Sequence, residues 1–261
     1  MADIISIAVK CLQDEAEAIL NLIPKLDEDF TKAVNLIIES KGRLIVTGVG
    51  KSGHIGAKIA STMASTGTPA FFVNPLDAFH GDLGMICEGD VVLAISNSGQ
   101  TDELLRFIPM LADRKIPIIS MSGNPESLLA KYSGCHLDIS VNKEACPLNL
   151  APTSSTTATL AMGDALACAL MTVRNFKAKD FAKFHPGGSL GRRLLARVKE
   201  YMITENLPIV TRDSKISDTL LQISSAKMGL AVVLEEGRIL GAVTDGDIRR
   251  TMQRDQDRFF E

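Results

Sequence analysis

Residues Ser96, Asn97, Ser98, Gly99 and Thr101 bring three hydroxyls, an amide and a glycine together within one short stretch. They follow Val91–Ile95, a near-continuous apolar and β-branched run that fits a strand buried on both faces. After them Leu104, Leu105, Ile108 and Leu111 recur at helical spacing, with Asp102 and Glu103 in the first turn. Strand, polar turn and helix N-terminus together make an anion site, because unpaired backbone N–H groups and the helix dipole both face the turn. Plain capping would need one Ser or Thr. Three hydroxyls and an Asn around one glycine suit the several oxygens of a phosphate ester better.

Three further segments carry polar side chains in places a ligand could reach. Gly48, Val49, Gly50, Lys51, Ser52 and Gly53 follow a short apolar strand, Arg43 to Thr47, and precede a helix from about His54 to Ser65. The spacing is G-x-G-x-x-G, so a dinucleotide site must be weighed, but that fingerprint also wants an acidic residue ending the second strand. The second strand, Ala70 to Val73, ends in Asn74 and Pro75. A P-loop would need glycine at position 45, where Ile45 stands. What remains is a glycine-rich turn with Lys51 and Ser52 at a helix start, Lys51 being either a surface lysine or a ligand group. The second segment, Lys143 to Thr157, contains Glu144, two prolines and the run Thr153, Ser154, Ser155, Thr156, Thr157, which opens a long helix reaching Val173. Those hydroxyls read as a helix cap on the plainest view. The third is Phe181 to Gly191, which sets His185 before a Pro-Gly-Gly turn. His80, in an H-G-D triplet within a loop or short helix over 76–90, is a lone histidine, a type more often structural than catalytic.

Composition limits the function classes. The chain has 261 residues, 46% apolar and 23% charged, enough for one large α/β domain plus something small. A net charge of −3 and a pI near 5.9 leave no basic face for nucleic acid. The start, MADIISIAVK, lacks a basic leader, and the longest apolar segment, Leu160 to Val173, is interrupted by Gly163 and Asp164, so no membrane association is expected. Five cysteines form no CxxC pair, which argues against a disulfide framework. A reduced, cytoplasmic setting follows as the expectation.

These segments need a scaffold that brings them together. Residues 2–23 and 28–38 each show helical spacing, and Pro24 separates them; such a pair is usually packing or dimer surface and is assigned no chemistry. Strands near 43–47, 70–73, 91–95, 116–121 and 137–141 alternate with helices, which predicts an α/β doubly wound parallel five-stranded sheet. Ligands of such sheets sit beyond the carboxyl ends of the strands, so Lys51, Ser52, Ser96, Ser98 and Thr101 should share one crevice. Cys135 and His136 are adjacent near a strand start, point to opposite faces and are not expected to share a metal. From Tyr201 the character changes. Val210 to Lys215, a helix Ser217 to Ser224, strands Ala231 to Leu234 and Ile239 to Val243, and a helix Ile248 to Met252 make a small α+β unit.

The motifs resemble a known family. S-N-S-G-x-T after a strand resembles the phosphosugar signature of SIS (sugar isomerase) domains, and GVGKSGHIGAKIA, HGDLGM, KEACPLNLAPTSSTTAT and HPGGSLGR together resemble D-arabinose-5-phosphate isomerases. The resemblance covers about residues 3 to 195. It implies a flavodoxin-like SIS sandwich over 1–197 and an enzyme interconverting D-ribulose 5-phosphate and D-arabinose 5-phosphate for Kdo and lipopolysaccharide synthesis. Residues 202–252, within a unit spanning 202–261, resemble one cystathionine β-synthase-type (CBS) repeat, whose Thr244 and Asp247 would contact a nucleotide or sugar-nucleotide. The family usually carries two such repeats. This sequence has one and a charged tail, which leaves regulation through an intrachain pair open.

Aldose–ketose isomerisation moves a proton between C1 and C2 through an enediolate, so it needs a base, an oxyanion partner and help with ring opening. The resemblance points to Lys51, Glu103, Glu144 and His185, with His80 nearby. Either Glu144 or Glu103 would be the base, Lys51 would hold the enediolate oxygen or phosphate, and His185 would serve the ring oxygen. Ser52, Ser96, Asn97, Ser98 and Thr101 would hold the phosphate, with Thr153, Ser154 and Ser155 close to the sugar. The chemistry requires no metal and no cofactor, and the histidines and cysteines form no ligand cluster. The same resemblance implies active sites at subunit interfaces of a homotetramer. A SIS module that senses a sugar phosphate without turnover is the rival reading, and it leaves KEAC and HPGG without a purpose.

Overall fold

Asp3 begins the first helix by accepting a hydrogen bond from the Ile5 N–H, and α1 runs Ile4–Leu20. A 3-10 turn at Ile23–Lys25 leads to α2, Glu28–Glu39, capped by Asp27. Then follow β1 (Leu44–Gly48), α3 (Gly50–Ser65), β2 (Ala70–Val73), α4 (Pro75–Ala78), a 3-10 turn (Asp82–Met85), β3 (Val91–Ile95) and α5 (Asp102–Asp113). The remaining elements of this unit are β4 (Ile118–Ser122), α6 (Leu128–Tyr132), β5 (Cys135–Asp138), α7 (Ser154–Val173) and α8 (Ala178–Phe184). This computed structural model describes residues 3–187, 194 and 197–255, and the chain divides into two compact units, Met1–Leu195 and Ala196–Glu261.

The sheet order is β2-β1-β3-β4-β5, with every pairing parallel. Strands β1, β3 and β4 are buried on both faces, which is why β3 and the start of β1 read as unbroken apolar runs, while β4 buries Ser120 and Ser122 among its apolar residues. Successive side chains feed two cores. Leu44, Val46, Leu93 and Ile95 pack with α2, α3 and α7, while Ile45, Val92 and Ala94 pack with α4, α5 and α6. The chain leaves β1 towards β2 on one side and reaches β3 on the other, so the switch point of the sheet lies between β1 and β3. Gly48 and Ile95 are paired there, at the carboxyl ends of both strands.

Several boundaries differ from the sequence expectation for identifiable reasons. Helix α3 starts at Gly50 rather than His54, so Lys51 and Ser52 lie in its first turn. Strand β4 starts at Ile118 because Ile116 closes α5, its N–H bonding the Leu111 carbonyl, and Pro117 has no N–H for the ladder. Strand β5 occupies Cys135–Asp138, and the Asp138 carboxylate ends it by accepting the Ser140 N–H at 2.7 Å. Cys135 faces the core on the α2 and α7 side, as expected of a neighbour of His136 on the opposite face.

His136 carries a stability consequence. Its Nδ1 meets Ser120 Oγ at 2.9 Å, and its Nε2 is buried without a partner. Burial pushes the imidazole below its ordinary 6.5, outweighing the pull of Asp138, Asp29 and Asp27. The unfolded chain therefore takes up a proton near pH 6.5 that the folded chain resists, so stability from this group is present above that pH and is lost as pH falls below it. Thermal midpoints from pH 7 to about 5 should fall less steeply in His136→Asn than in the unaltered chain. Equal slopes would remove His136 as the cause.

The second unit contains α9 (Val198–Tyr201), β6 (Ile209–Val210), α10 (Ile216–Ala226), β7 (Leu230–Glu235), β8 (Arg238–Thr244) and α11 (Asp245–Asp255). Its sheet is β6-β7-β8, with β6 parallel and β8 antiparallel to β7. A small core of Val210, Ile223, Ala231 and Ile248 holds it. Thr244 donates from its N–H and hydroxyl to Asp247 Oδ2 at 2.9 and 2.7 Å, and Arg250 binds the other oxygen. Those bonds, Thr244 first, pull the Asp247 carboxyl down to about 2.

Candidate active site

The turns after β1 and β3 and the start of α7 enclose a crevice of about 320 Å³ at the switch point. Lys51, Ser52, Asn97, Ser98, Thr101 and Ser155 line it. The β1 turn owes its shape to Gly53. A Cβ there would sit 2.7 Å from the Gly48 carbonyl oxygen, so this glycine lets α3 pack onto β1. The G-x-G-x-x-G spacing thus serves close helix–strand approach. Lys51 is exposed at the crevice and makes no hydrogen bond or ion pair among the described residues.

Ser96 works differently from its neighbours. It is 2% exposed, does not line the crevice, and its Oγ lies 2.8 Å from Thr101 Oγ1 while accepting the Gly99 N–H at 3.0 Å. In this structure Ser96 braces the loop beside Thr101, while Asn97, Ser98 and Thr101 face the opening. Gly99 has φ +63°, and a Cβ would overlap the Ser127 side chain. Gly99→Ala should therefore raise the KM for a phosphorylated substrate at least about tenfold, since a left-handed residue costs about 1–2 kcal/mol before any overlap is relieved. A KM unchanged in that variant would show that the loop does not hold the phosphate.

The hydroxyl run at α7 divides by face. Ser155 lines the crevice with Thr156 of the same hydroxyl run and, one turn on, Thr159, a position outside that run although 155 and 159 share a helix face. Ser154 is instead fully buried with its Oγ unpartnered. Thr153 turns to Glu144, donating from its N–H at 2.7 Å and its hydroxyl at 3.1 Å to Oε2, which also accepts the Ser155 N–H at 3.1 Å. Thr153 and Ser154 thus do not line the crevice, because the α7 N-terminus is capped by a distant carboxylate rather than by its own hydroxyls. Burial pushes Glu144 up, but the bonds from Ser155 and Thr153 outweigh it and hold the carboxyl below its ordinary 4.5. Glu144 and Thr153 face a second, larger cavity of about 1150 Å³ bordered by α1.

Within one chain the other candidates stand apart from the crevice lining. Glu103 is half-buried in the first turn of α5, two residues beyond Thr101, with no hydrogen bond or ion pair among the described residues. His80 is exposed in the turn after α4. His185 ends α8, its ring stacked on Phe181 at 3.9 Å between centroids and its Nδ1 3.0 Å from the Phe181 carbonyl. Gly188 to Gly191 of the same motif lie outside the described residues.

The SIS domain family model matches residues 36–169, and the CBS domain model matches 198–254. Arabinose 5-phosphate isomerase KdsD of Pseudomonas aeruginosa is 51% identical over 257 residues, covering 98% of this chain and 79% of that protein. The chain belongs to the arabinose 5-phosphate isomerase family. Another member, from Yersinia pestis, is 54% identical over 92% of this chain and 74% of its own length. Among solved structures, an Escherichia coli protein in complex with arabinose 5-phosphate is 40% identical, with a TM-score of 0.68 over 70% of this chain and 98% of that one. The sugar isomerase domain of an RpiR transcription factor from Sphaerobacter thermophilus is 16% identical, with a TM-score of 0.53, and shares the fold alone. The doubly wound SIS fold with a C-terminal CBS repeat is thus established for this chain.

Proposed function

We propose that the chain interconverts D-ribulose 5-phosphate and D-arabinose 5-phosphate through an enediolate, supplying Kdo and lipopolysaccharide synthesis from the cytoplasm. The observation that carries this is the hydroxyl-lined crevice at the sheet switch point, in a chain about half identical to arabinose 5-phosphate isomerases over nearly its whole length. The sensing alternative is supported only by likeness at the level of fold.

The phosphate sits on Ser52, Asn97, Ser98 and Thr101, against the N-termini of α3 and α5. Lys51 faces the oxyanion of the enediolate. Glu103, whose carboxylate has no competing partner among the described residues, removes the C1 proton of the ketose and returns a proton at C2. Glu144, already accepting three bonds through Oε2, keeps the α7 N-terminus and Ser155 in place. His185 and His80 lie away from the crevice of their own chain, so a histidine for ring opening comes from a second copy. Exposed apolar residues of α1 and the turn after it, among them Ile4, Leu12, Leu20 and Ile23, suit burial in a homotetramer. A nucleotide or sugar-nucleotide would meet Thr244 and Asp247 of the CBS repeat.

Incubating ribulose 5-phosphate with the protein in D₂O without any cofactor tests the activity by proton NMR. Arabinose 5-phosphate carrying deuterium at C2 is expected; binding without turnover would favour the sensor. Sedimentation as a fully active monomer would end the shared-site assembly.

A further inference from the structure

Asp14 is a buried carboxylate on a helix that the isomerisation chemistry leaves unused. Its side chain is 7% exposed and takes a lysine on each oxygen. Lys10, one turn earlier on α1, meets Oδ1 at 2.7 Å, and Lys143 meets Oδ2 at 3.1 Å. Lys143 immediately precedes Glu144, whose carboxylate binds the first turn of α7. The next residue of α1, Glu15, accepts the Thr157 hydroxyl at 3.0 Å from that same turn. Two adjacent acids of α1 thus grip the segment 143–157 at both of its ends, and between those ends lie Ser155 and Thr156, which line the crevice. Burying a carboxylate is costly unless its partners are held in place, so the pair fixes Lys143 relative to α1.

We propose that Asp14 is a positioning residue for isomerisation: through Lys143 it holds Glu144, and with it the Ser155 wall of the crevice, at the distance the reaction needs. This rests on the isomerase reading above. The phosphate cradle lies on the β1 and β3 turns, which Asp14 does not touch. Loss of the strap should therefore appear in kcat and spare KM. Shifting a wall of a reacting site by about 1 Å can cost on the order of a hundredfold in rate.

The test compares the full chain with Asp14→Asn, Lys143→Met, Lys143→Arg and Lys10→Met, measuring kcat and KM on ribulose 5-phosphate. Asp14→Asn and Lys143→Met are expected to lower kcat about tenfold or more with KM changed less than about twofold. The double variant Asp14→Asn/Lys143→Met should lose no more than either of those single ones. Lys143→Arg, which keeps the bridge, and Lys10→Met, which leaves the loop contact intact, should stay within about twofold of the unaltered rate. A normal kcat in Lys143→Met, or additive losses in the double variant, overturns the proposal even if Asp14→Asn fails to fold. An unaltered chain that turns over no ribulose 5-phosphate overturns the isomerase reading as well, which separates the two failures.

Discussion

Glu103→Gln is expected to lower kcat about 10²- to 10⁴-fold with the fold and KM preserved, the usual contribution of a positioned general base. The side chain stands in the first turn of the helix that begins just after Thr101, half-buried and without a hydrogen-bond partner among the described residues. As an N-terminal acid alone it would contribute only about 0.3–1 kcal/mol to stability, so a merely structural Glu103 predicts a small change in Tm and a normal rate. Glu144→Gln should behave in the opposite way. Its carboxylate is held below the ordinary range by donors from Thr153 and Ser155, a weak position from which to abstract a proton. That contribution to stability is present above about pH 4.5 and is lost as pH falls through the depressed folded value. Substitution should lower Tm by roughly 2–4 °C for each kcal/mol lost and, by freeing the Ser155 wall, cost about tenfold or more in kcat, less than Glu103→Gln does. If Glu144→Gln is the dead variant and Glu103→Gln is active, the base is Glu144; unaltered rates in both would end the carboxylate mechanism.

Lys51→Met should be nearly as damaging, with kcat down about 10²- to 10³-fold, the range seen when a preorganised oxyanion donor is removed. Lys51 sits in the first turn of α3, exposed at the crevice, and forms no ion pair among the described residues. Its removal should therefore leave Tm close to the unaltered value. Should KM rise strongly while kcat stays normal, Lys51 holds the phosphate and the enediolate must find another donor. A variant matching the parent in both constants would reduce Lys51 to a surface residue.

Much of this arrangement is legible in the sequence. Unbroken apolar runs at 44–46 and 91–95 are what strands covered on both sides require, and the turns after them meet at the switch point where Lys51, Ser52, Ser98 and Thr101 were expected together. What the residue types could not reveal was direction. Ser96, Ser154 and Thr153 belong to the same hydroxyl-rich runs as their crevice-lining neighbours, yet loop curvature and helix phase turn them into a loop brace, a buried hydroxyl and a partner for Glu144. The capping role of Glu144 was invisible because its partners lie nine and eleven residues away, beyond any local capping pattern. Helix α1 read as plain packing surface for a similar reason. Asp14 and Glu15 look like ordinary solvated acids until the tertiary fold supplies Lys143 and Thr157.

The crevice is assembled from positions near 51, 98 and 155, contributed by two separate strand ends and a helix that enters after the fifth strand. No single turn or helix end holds more than one wall of it. A ligand can therefore grip only molecules whose central strands have all found their places, and it does so at the junction of β1 with β3. Sugar phosphate should act as a selective clamp on the completed sheet, raising its melting point with the logarithm of ligand concentration while leaving any partly assembled intermediate unprotected.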